Sequence, residues 1–338
     1  MILKSFRLSW IKLTHFEFWP WKFFYGPLLP YYLFLAIKNR SIAFPSIVNI
    51  TLKDGGFFNE NKSEILKNIP SEYLPQTVEI NKKKEFQELL HLIKEIEFPL
   101  VAKPLSGQRG QGVKKIFSID SLYDYHTFSK EDYLLQEFIE HPIELAVLYS
   151  RLPKQIKGIV SSVTQKEFLS VVGDGQSTIE MLLTKNFRAQ LIWEDLKKNL
   201  LINWAEIVPK GEVKIVEPIG NHCRGTIFRN AGHLDFAKIA KVCDEILKEF
   251  KDFNYGRFDL KVKTIEDFYA GKNIKILELN GVNADAAHIF DPNYSLIAAY
   301  SSVLWHWNRL SSIAKINKKI GRNTAISWKA LKTNIYKL

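Results

Sequence analysis

The sequence predicts an α/β protein of the α+β kind, with two or three lobes. Residues 255–262 and 274–280 alternate apolar and polar side chains, which is typical of strands with one apolar and one polar face. Apolar residues recur at helical spacing over 79–97 and 235–252, which predicts two amphipathic helices. With 338 residues the chain is long enough to bury more than one core.

The basic residues are concentrated at the two ends. Residues 1–40 hold six Lys/Arg and one Glu, a net charge of +5, and residues 315–338 hold seven Lys/Arg and no acid, a net charge of +7. The whole chain carries +11, so its middle is close to neutral. This distribution argues against a nucleic-acid groove across the fold and fits ends that face an anionic surface.

Cysteine usage indicates a reducing compartment. Cys223 and Cys243 are the only cysteines, and no CxxC motif or paired His/Cys spacing accompanies them. Neither a disulfide framework nor structural zinc is therefore predicted. The N-terminus lacks the apolar run and small-residue cleavage site of a signal peptide. We expect a cytoplasmic protein, with contact at the inner face of the membrane as an added alternative.

Residues 1–75 form an aromatic, basic N-terminal segment. Within it, the uncharged run of residues 23–37 contains Pro27 and Pro30 and is shorter than the roughly 20 residues that span a bilayer. Three alternatives stand for 16–37: a helix buried against the main domain, an interfacial membrane segment, and a true span. The cluster Trp19, Trp21, Tyr31 and Tyr32, with flanking Lys/Arg, favours the interfacial alternative over the span.

In the next region, the sequence predicts two strands joined by a glycine-rich loop. The first strand follows Pro99 at 100–103, the loop covers 106–112, and an alternating run follows over 113–119. The loop is neither a Walker A loop nor a dinucleotide fingerprint. Its three glycines predict a flexible hairpin tip whose N–H groups can close over phosphates, and a purely structural hairpin is the alternative.

Further elements complete the chain. We expect strands at 133–139 and 156–172, helices over 178–206, a polar loop at 220–225, and a final helix from about Ser295 to Ile313. A basic tail then runs to the end of the chain.

The stretch from Tyr255 to Gly281 contains the candidate metal ligands. An antiparallel pairing of its two strands would bring Asp259, Glu278 and Asn280 together, with Arg257 at the rim. Two carboxylates and an amide carbonyl form an all-oxygen set, which suits magnesium rather than zinc. A hairpin with a solvated polar face is the alternative interpretation.

Taken in order, these motifs resemble the ATP-grasp superfamily of carboxylate–amine ligases over roughly residues 76–310. The ordered set is F-P-L-V-A-K-P, the glycine-rich hairpin, L-L-Q-E-F-I, a later lysine strand, G-R-F-D and E-L-N. Within the superfamily the chain is similar to the D-alanine–D-alanine ligase and cyanophycin synthetase neighbourhood. The resemblance implies an ATP-grasp fold of two antiparallel-rich lobes with ATP between them, over 76–150 and 151–310, followed by the basic tail at 311–338.

The resemblance also implies a role for individual residues. Lys103 and Lys166 would hold the ATP phosphates, and Arg257 and Arg224, with Lys166, would be catalytic. Asp259, Glu278 and Asn280 would carry two magnesium ions, with manganese as an alternative. The remaining implied nucleotide contacts are the loop residues Ser106, Gly107, Gly110 and Gly112, the hinge residues Gln136, Glu137, Phe138 and Ile139, and the ribose acid Glu144.

The chain departs from D-alanine ligases in two places. The run Gly281–His288 replaces their substrate-binding loop after the E-x-N motif, and the short N-terminal segment replaces a full α/β domain. The dipeptide substrate is therefore not implied, and His222, Arg224, Asp285 and His288 are the candidates for acceptor contacts. We expect a ligase of small-molecule carboxylates and amines; a non-catalytic ATP-binding regulator and a membrane-surface scaffold are the alternatives.

Overall fold

The computed structural model describes residues 2–57, 65–105, 112–198 and 202–322. Its α-helices include α1 (Ile2–Thr14), α2 (Trp21–Tyr25), α3 (Leu29–Lys38), α4 (Phe86–Leu92), α5 (Ile119–Phe128), α6 (Ile179–Lys185), α7 (Phe187–Leu191), α8 (Trp193–Lys197), α9 (Phe236–Ile246), α10 (Ile265–Tyr269) and α11 (Leu296–Lys319). Its strands include β1 (Thr77–Ile80), β2 (Leu100–Pro104), β3 (Lys114–Ile116), β4 (Tyr133–Glu137), β5 (Ile143–Ser150), β6 (Ile159–Glu167), β7 (Leu169–Val172), β8 (Val213–Glu217), β9 (Ile227–Asn230), β10 (Tyr255–Val262) and β11 (Ile274–Asn280). The predicted mixed α/β class with antiparallel sheets is confirmed.

The first sheet has the strand order β1-β4-β2-β3, and all of its pairings are antiparallel. Its core forms where one apolar side of the sheet meets α4 and α5. Leu89 and Leu122 from the helices are fully buried there with Leu100 and Tyr133 from the strands. The opposite face is consequently left for polar side chains.

The second sheet has the strand order β11-β10-β5-β6-β9 and is also antiparallel. One face packs on α9 and α10, with Val147, Phe258 and Ile239 among the buried residues. A smaller hairpin, β7-β8, packs with α6, α7 and α8 around Leu169 and Leu183.

The N-terminal segment lies against α11. Phe24, Leu28 and Leu35 are buried in this contact, and the side-chain amide of Asn39 donates to Ser311 Oγ at 2.7 Å. The structure therefore places 16–37 on the main domain, with part of the segment buried. Among the described residues, no helix combines the length and apolarity of a bilayer crossing.

Several element boundaries differ from the sequence expectation; the helix expected over 235–252, for example, covers only Phe236–Ile246. The residues that open the expected helix over 79–97 instead form β1, because Ile80 is buried opposite Tyr133 in the sheet, and the helix itself covers only Phe86–Leu92. The final helix runs on to Lys319, because the buried Asn317 side chain donates to Ile47 O at 2.7 Å and fixes the additional turns.

The division between the two sheets also differs from the expected boundary at residue 150. Strand β5 pairs with β10 and β6 and is therefore a central strand of the second sheet. The chain crosses between the sheets at 138–142. The predicted hinge residues 138 and 139 therefore lie in the connection between the two sheets.

Candidate functional site

The two strands that carry the predicted metal ligands are paired as expected. Asp259 lies opposite Glu278, and Arg257 lies opposite Asn280. Because side chains alternate along a strand, all four project from the same face of the second sheet. Tyr255 and Leu148, at the edge of this face, pack against α11 and the N-terminal segment, which bounds the polar row on one side.

Lys166 connects the polar side chains of this face. Its ammonium lies 2.9 Å from Glu144 Oε1 and 3.2 Å from Asp259 Oδ1, and all three side chains are almost fully buried. Asp259 Oδ2 also accepts from Arg257 Nη2 at 3.0 Å and from Asn280 Nδ2 at 3.1 Å. The face is therefore a connected network of charges.

Charge pairing within the network sets the protonation of its members. Burial by itself would raise the pKa of Asp259, but the Arg257 guanidinium and the Lys166 ammonium lower it. Burial likewise opposes the charged form of Lys166, but Asp259 and Glu144 raise its pKa above the usual range. Both groups are therefore ionised at neutral pH.

The predicted metal ligands form an oxygen-rich set. Asp259 and Glu278 supply two carboxylates from neighbouring strands, and Asn280 supplies an amide oxygen beside them. Within the described ranges no group of three His, Cys, Asp or Glu side chains is placed to hold a metal. This donor chemistry fits Mg²⁺ better than zinc.

A second row of cations lines the polar face of the first sheet. Val101 pairs with both Lys115 and Gln136, so these side chains project from the same face as Lys103. Lys103 Nζ donates to Gln136 Oε1 at 2.5 Å, and Lys115 Nζ lies 3.4 Å from the centroid of the Phe138 ring. Lys115 was not among the predicted site residues.

Lys261 is a second residue that the sequence reasoning missed. Its ammonium donates to the hinge carbonyl of Ile139 at 2.9 Å and lies 5.0 Å and 5.4 Å from the ring centroids of Phe138 and Phe168. Burial, aided by the charge of Lys166, lowers its pKa. The alternation of Arg257, Asp259 and Lys261 on one face was the signal that could have identified it.

The predicted hinge and ribose residues lie near these lysines. Glu144 is 5% exposed and lies 3.9 Å from Lys261 as well as beside Lys166, so it is an integral part of the ion network. The Glu137 carboxylate instead accepts from the backbone N–H of Gln76 at 3.2 Å, at the edge of the first sheet.

Only the end of the glycine-rich loop is described. Ser106, Gly107 and Gly110 lie outside the described residues. Gly112 has a φ of +71°, and a Cβ there would come within 2.6 Å of Pro104 Cγ, so the position requires glycine.

The backbone of the polar loop at 220–225 lies close to the ion network. A Cβ at Gly220 would lie 2.2 Å from Glu144 Oε1, which shows how closely the loop backbone approaches. Further along, Arg224 lies 2.9 Å from Glu217 Oε2, and its Nη1 donates to Val113 O at 3.2 Å. The predicted catalytic arginine thus links this loop to the residue that precedes β3.

His222 joins the same loop to the N-terminal segment. Its Nε2 lies 3.0 Å from Glu17 Oε2, and Glu17 accepts from Arg188 Nη2 at 2.7 Å. Glu17 and Arg188 are both buried. Burial would raise the pKa of Glu17, but its bonds to His222 and Arg188 lower it.

The other two acceptor candidates differ in position. Asp285 Oδ1 accepts from the Tyr25 hydroxyl at 2.6 Å, and its backbone carbonyl accepts from Arg257 Nη1 at 3.2 Å, so it borders the polar row. His288 is buried, with Nδ1 2.7 Å from Ser162 Oγ. This geometry favours a structural role for His288.

Several solved structures of ligases are similar to this chain at low sequence identity. The similar solved structures include D-alanine–D-alanine ligase from Bacillus anthracis, with 16% identity, 80% of this chain and 71% of that chain covered, and a TM-score of 0.43. They also include the VanG D-Ala:D-Ser ligase from Enterococcus faecalis (13% identity, 78% and 64% covered, TM-score 0.44) and a bifunctional glutathione synthetase from Pasteurella multocida (13% identity, 75% and 38% covered, TM-score 0.35). No protein-family model matches the sequence, and no curated protein sequence matches it.

Proposed function

We propose that this protein is an ATP-dependent ligase that joins a small-molecule carboxylate to an amine through an acyl phosphate. The observation that carries the proposal is the position of Lys166 between Glu144 and Asp259, with Arg257 on the other Asp259 oxygen. A buried lysine and a buried arginine that share one carboxylate are thereby held in fixed positions on a face that also carries oxygen ligands.

The positions of the cations support a polyanionic ligand such as ATP. The two polar faces hold five cations, namely Lys103, Lys115, Lys166, Lys261 and Arg257. The triphosphate of ATP would lie among these cations. Phe138, between Lys115 and Lys261, would provide the apolar surface for the base.

Magnesium would be held by Asp259, Glu278 and Asn280, as one or two ions, and manganese would fit the same oxygen donors. When bound, the metal neutralises charge on phosphate oxygens. The amide of Asn280 now donates to Asp259, and its oxygen is the atom that would face a metal. The protein's own contribution is the fixed spacing of these ligands on paired strands.

The proposed reaction has two steps. First, a carboxylate oxygen of the substrate attacks the γ-phosphorus of ATP, the bond to the β-γ bridging oxygen breaks, and ADP leaves. Second, the amine attacks the carbonyl carbon of the acyl phosphate, phosphate leaves, and the amine loses a proton. Lys166 and Arg257 would stabilise the transferring phosphoryl group, and Arg257 would stabilise the oxyanion of the second step.

The site implies small molecules as substrates. Asp285, His222 and Arg224 lie around the polar row and are the proposed acceptor contacts. We also propose a reducing compartment such as the cytoplasm, because Cys223 is exposed and Cys243 is buried, and neither forms a disulfide.

The test is phosphate release by the purified protein with ATP, magnesium, pooled carboxylates and pooled amines. The proposal predicts release that requires ATP, metal and both pools, and fractionation of the pools then identifies the substrates. ATP binding without release under any pool would instead indicate a non-catalytic nucleotide-binding protein.

A further inference from the structure

Helix α3 presents an apolar face to solvent. Leu29, Leu33, Phe34 and Ile37 are 52%, 42%, 53% and 78% exposed. They lie on one side of the helix, because residues at i, i+4 and i+8 share a face. The opposite side is buried against α11. A ten-residue helix that packs on one face and exposes large apolar residues on the other is unusual for a solvated surface.

Four more large apolar residues are exposed on the elements before α3. Trp10 and Leu13 on α1 are 57% and 63% exposed, and Trp21 and Phe23 on α2 are 57% and 72% exposed. We call these four residues, together with Leu29, Leu33, Phe34 and Ile37, the N-terminal apolar surface. Its members are all contributed by consecutive elements within 28 residues of sequence.

Three aromatic residues expected at a membrane interface are not part of this surface. The Trp19 indole donates to Leu13 O at 2.8 Å, the Tyr31 hydroxyl donates to Asn308 Oδ1 at 2.9 Å, and the Tyr32 hydroxyl donates to Ile42 O at 2.7 Å. Their polar atoms are bonded within the protein. Of the four aromatic anchors expected from the sequence, only Trp21 belongs to the N-terminal apolar surface.

Exposed cations occur in the same segment as the N-terminal apolar surface. Lys12, Lys22, Lys38 and Arg40 are exposed, and Lys38 lies 5.8 Å from the Phe34 ring centroid. Residues 8–40 contain one acid, Glu17, which is buried and paired with Arg188. Their solvent-facing surface therefore carries positive charge that no carboxylate of the same segment neutralises.

The end of α11 adds to this charge. Burial and the nearby charges of Lys38 and Lys319 lower the pKa of Lys315, so these lysines lie close together. No Asp or Glu follows Asp291 in the sequence, and residues 323–338 contain three further lysines. Within the described residues, Lys38, Lys315 and Lys319 form no ion pair, and an apolar surface with such lysines beside it is complementary to a bilayer that has anionic headgroups and an apolar interior.

We propose that the N-terminal apolar surface docks the protein on an anionic lipid bilayer. The apolar side chains of α3 enter the headgroup boundary, and Lys38, Lys315 and the other cations contact lipid phosphates. The helix lies in the plane of the interface, since ten residues extend about 15 Å and the hydrocarbon core is about 30 Å thick. A second copy is a poorer partner, because a two-fold contact through α3 would bring two lysine clusters together without carboxylates. This proposal does not depend on the proposed ligase activity.

The test is flotation of the full-length protein with vesicles of phosphatidylcholine alone or with phosphatidylglycerol added. The expected result is binding to the anionic vesicles only, with most of it lost at high salt. Phe34→Ser with Ile37→Ser should reduce the partition coefficient by about tenfold, since exposed apolar contacts are removed. Lys38→Glu with Lys315→Glu should also reduce the partition coefficient by about tenfold, and this reduction should be larger at low salt.

Matched controls lie elsewhere on the protein. Ile156→Ser removes an isoleucine that is 84% exposed, and Lys83→Glu reverses an exposed lysine of the first lobe. Both should bind like the wild type, and the thermal unfolding midpoints of all variants should be compared. Absence of wild-type binding, equal binding to neutral vesicles, or equal losses in the controls would overturn the proposal. Concentration-dependent dimerisation that the α3 variants abolish, without lipid binding, would assign the surface to a second copy.

Discussion

The hydroxyl of Tyr25 donates a 2.6 Å hydrogen bond to Oδ1 of Asp285. The backbone carbonyl of the same Asp285 accepts from Arg257 Nη1 at 3.2 Å. The N-terminal segment is thereby connected to the proposed catalytic arginine through one residue of the loop that follows β11. The N-terminal segment therefore helps to hold the loop residue that contacts Arg257.

Tyr25→Phe should lower turnover by about tenfold while changing ATP affinity little. A hydrogen bond to a charged partner contributes about 1.5–3 kcal/mol, and its loss frees the loop that holds Arg257. Steady-state kinetics together with calorimetric ATP binding measures both quantities. Tyr31→Phe, which removes a hydroxyl bonded to Asn308, is the control. An equal loss of affinity and turnover in Tyr25→Phe would contradict a positioning role.

Lys261→Met should weaken ATP binding by roughly tenfold. The substitution keeps the side-chain length but removes the charge, which contacts the Ile139 carbonyl and lies beside Glu144. Calorimetry with a non-hydrolysable ATP analogue gives the affinity. Lys263→Met, two residues along and exposed, is the matched control. Unchanged affinity in Lys261→Met would remove this residue from the nucleotide site.

Glu278→Gln should lower magnesium-dependent phosphate release by more than about hundredfold, because one of two carboxylate ligands becomes neutral. Glu278 is preferable to Asp259 as a test, since loss of the Asp259 charge leaves Lys166 and Arg257 buried without their shared partner. Mn²⁺ binding followed by electron paramagnetic resonance measures the metal site directly. The exposed Glu266→Gln is the control, and wild-type Mn²⁺ affinity in Glu278→Gln would refute the assignment.

Lowering the pH should destabilise the fold, because two buried histidines are held in their neutral form. Burial lowers the pKa of His288 to about 4 and of His306 to about 3. An unfolded histidine has a pKa of about 6.5, so the unfolded chain binds more protons below this value. Stability is therefore fully present above pH 6.5 and falls as pH is lowered toward 4, by up to about 1.4 kcal/mol per pH unit for each histidine.

Urea unfolding across this pH range measures the slope. His306→Gln, which removes the ring beside the Tyr255 hydroxyl, should lose stability at pH 7 and show a shallower pH dependence. The exposed His91→Gln should keep the wild-type slope. A slope that is the same in His306→Gln would show that other groups cause the acid sensitivity.

Much of the second sheet could be predicted because the pattern that defines each strand lies within that strand. The alternation over 255–262 and 274–280 fixes which side chains share a face, so the approach of Asp259 to Glu278 follows from one pairing. The same alternation placed Lys261 on the polar face, but nothing local shows that Ile139 lies opposite it.

The contacts that the sequence did not reveal are long-range. Lys115 reaches Phe138 only because β3 and β4 flank β2 in the first sheet. Strand β5 is apolar enough to fit either sheet, and its placement depends on pairing with β10, more than 100 residues later. Contacts between residues so far apart in the sequence leave no periodic pattern, so the sequence alone did not predict them.

The most direct test of the acyl-phosphate proposal is oxygen transfer from the substrate. Once the carboxylate is identified, it is labelled with ¹⁸O in both carboxyl oxygens and incubated with the enzyme, ATP, magnesium and the amine. An acyl phosphate passes one carboxylate oxygen to the released phosphate, so the account predicts one ¹⁸O per phosphate by mass spectrometry. Phosphate without the label, released at the same rate, would mean that water attacks ATP and would contradict the proposed ligase mechanism.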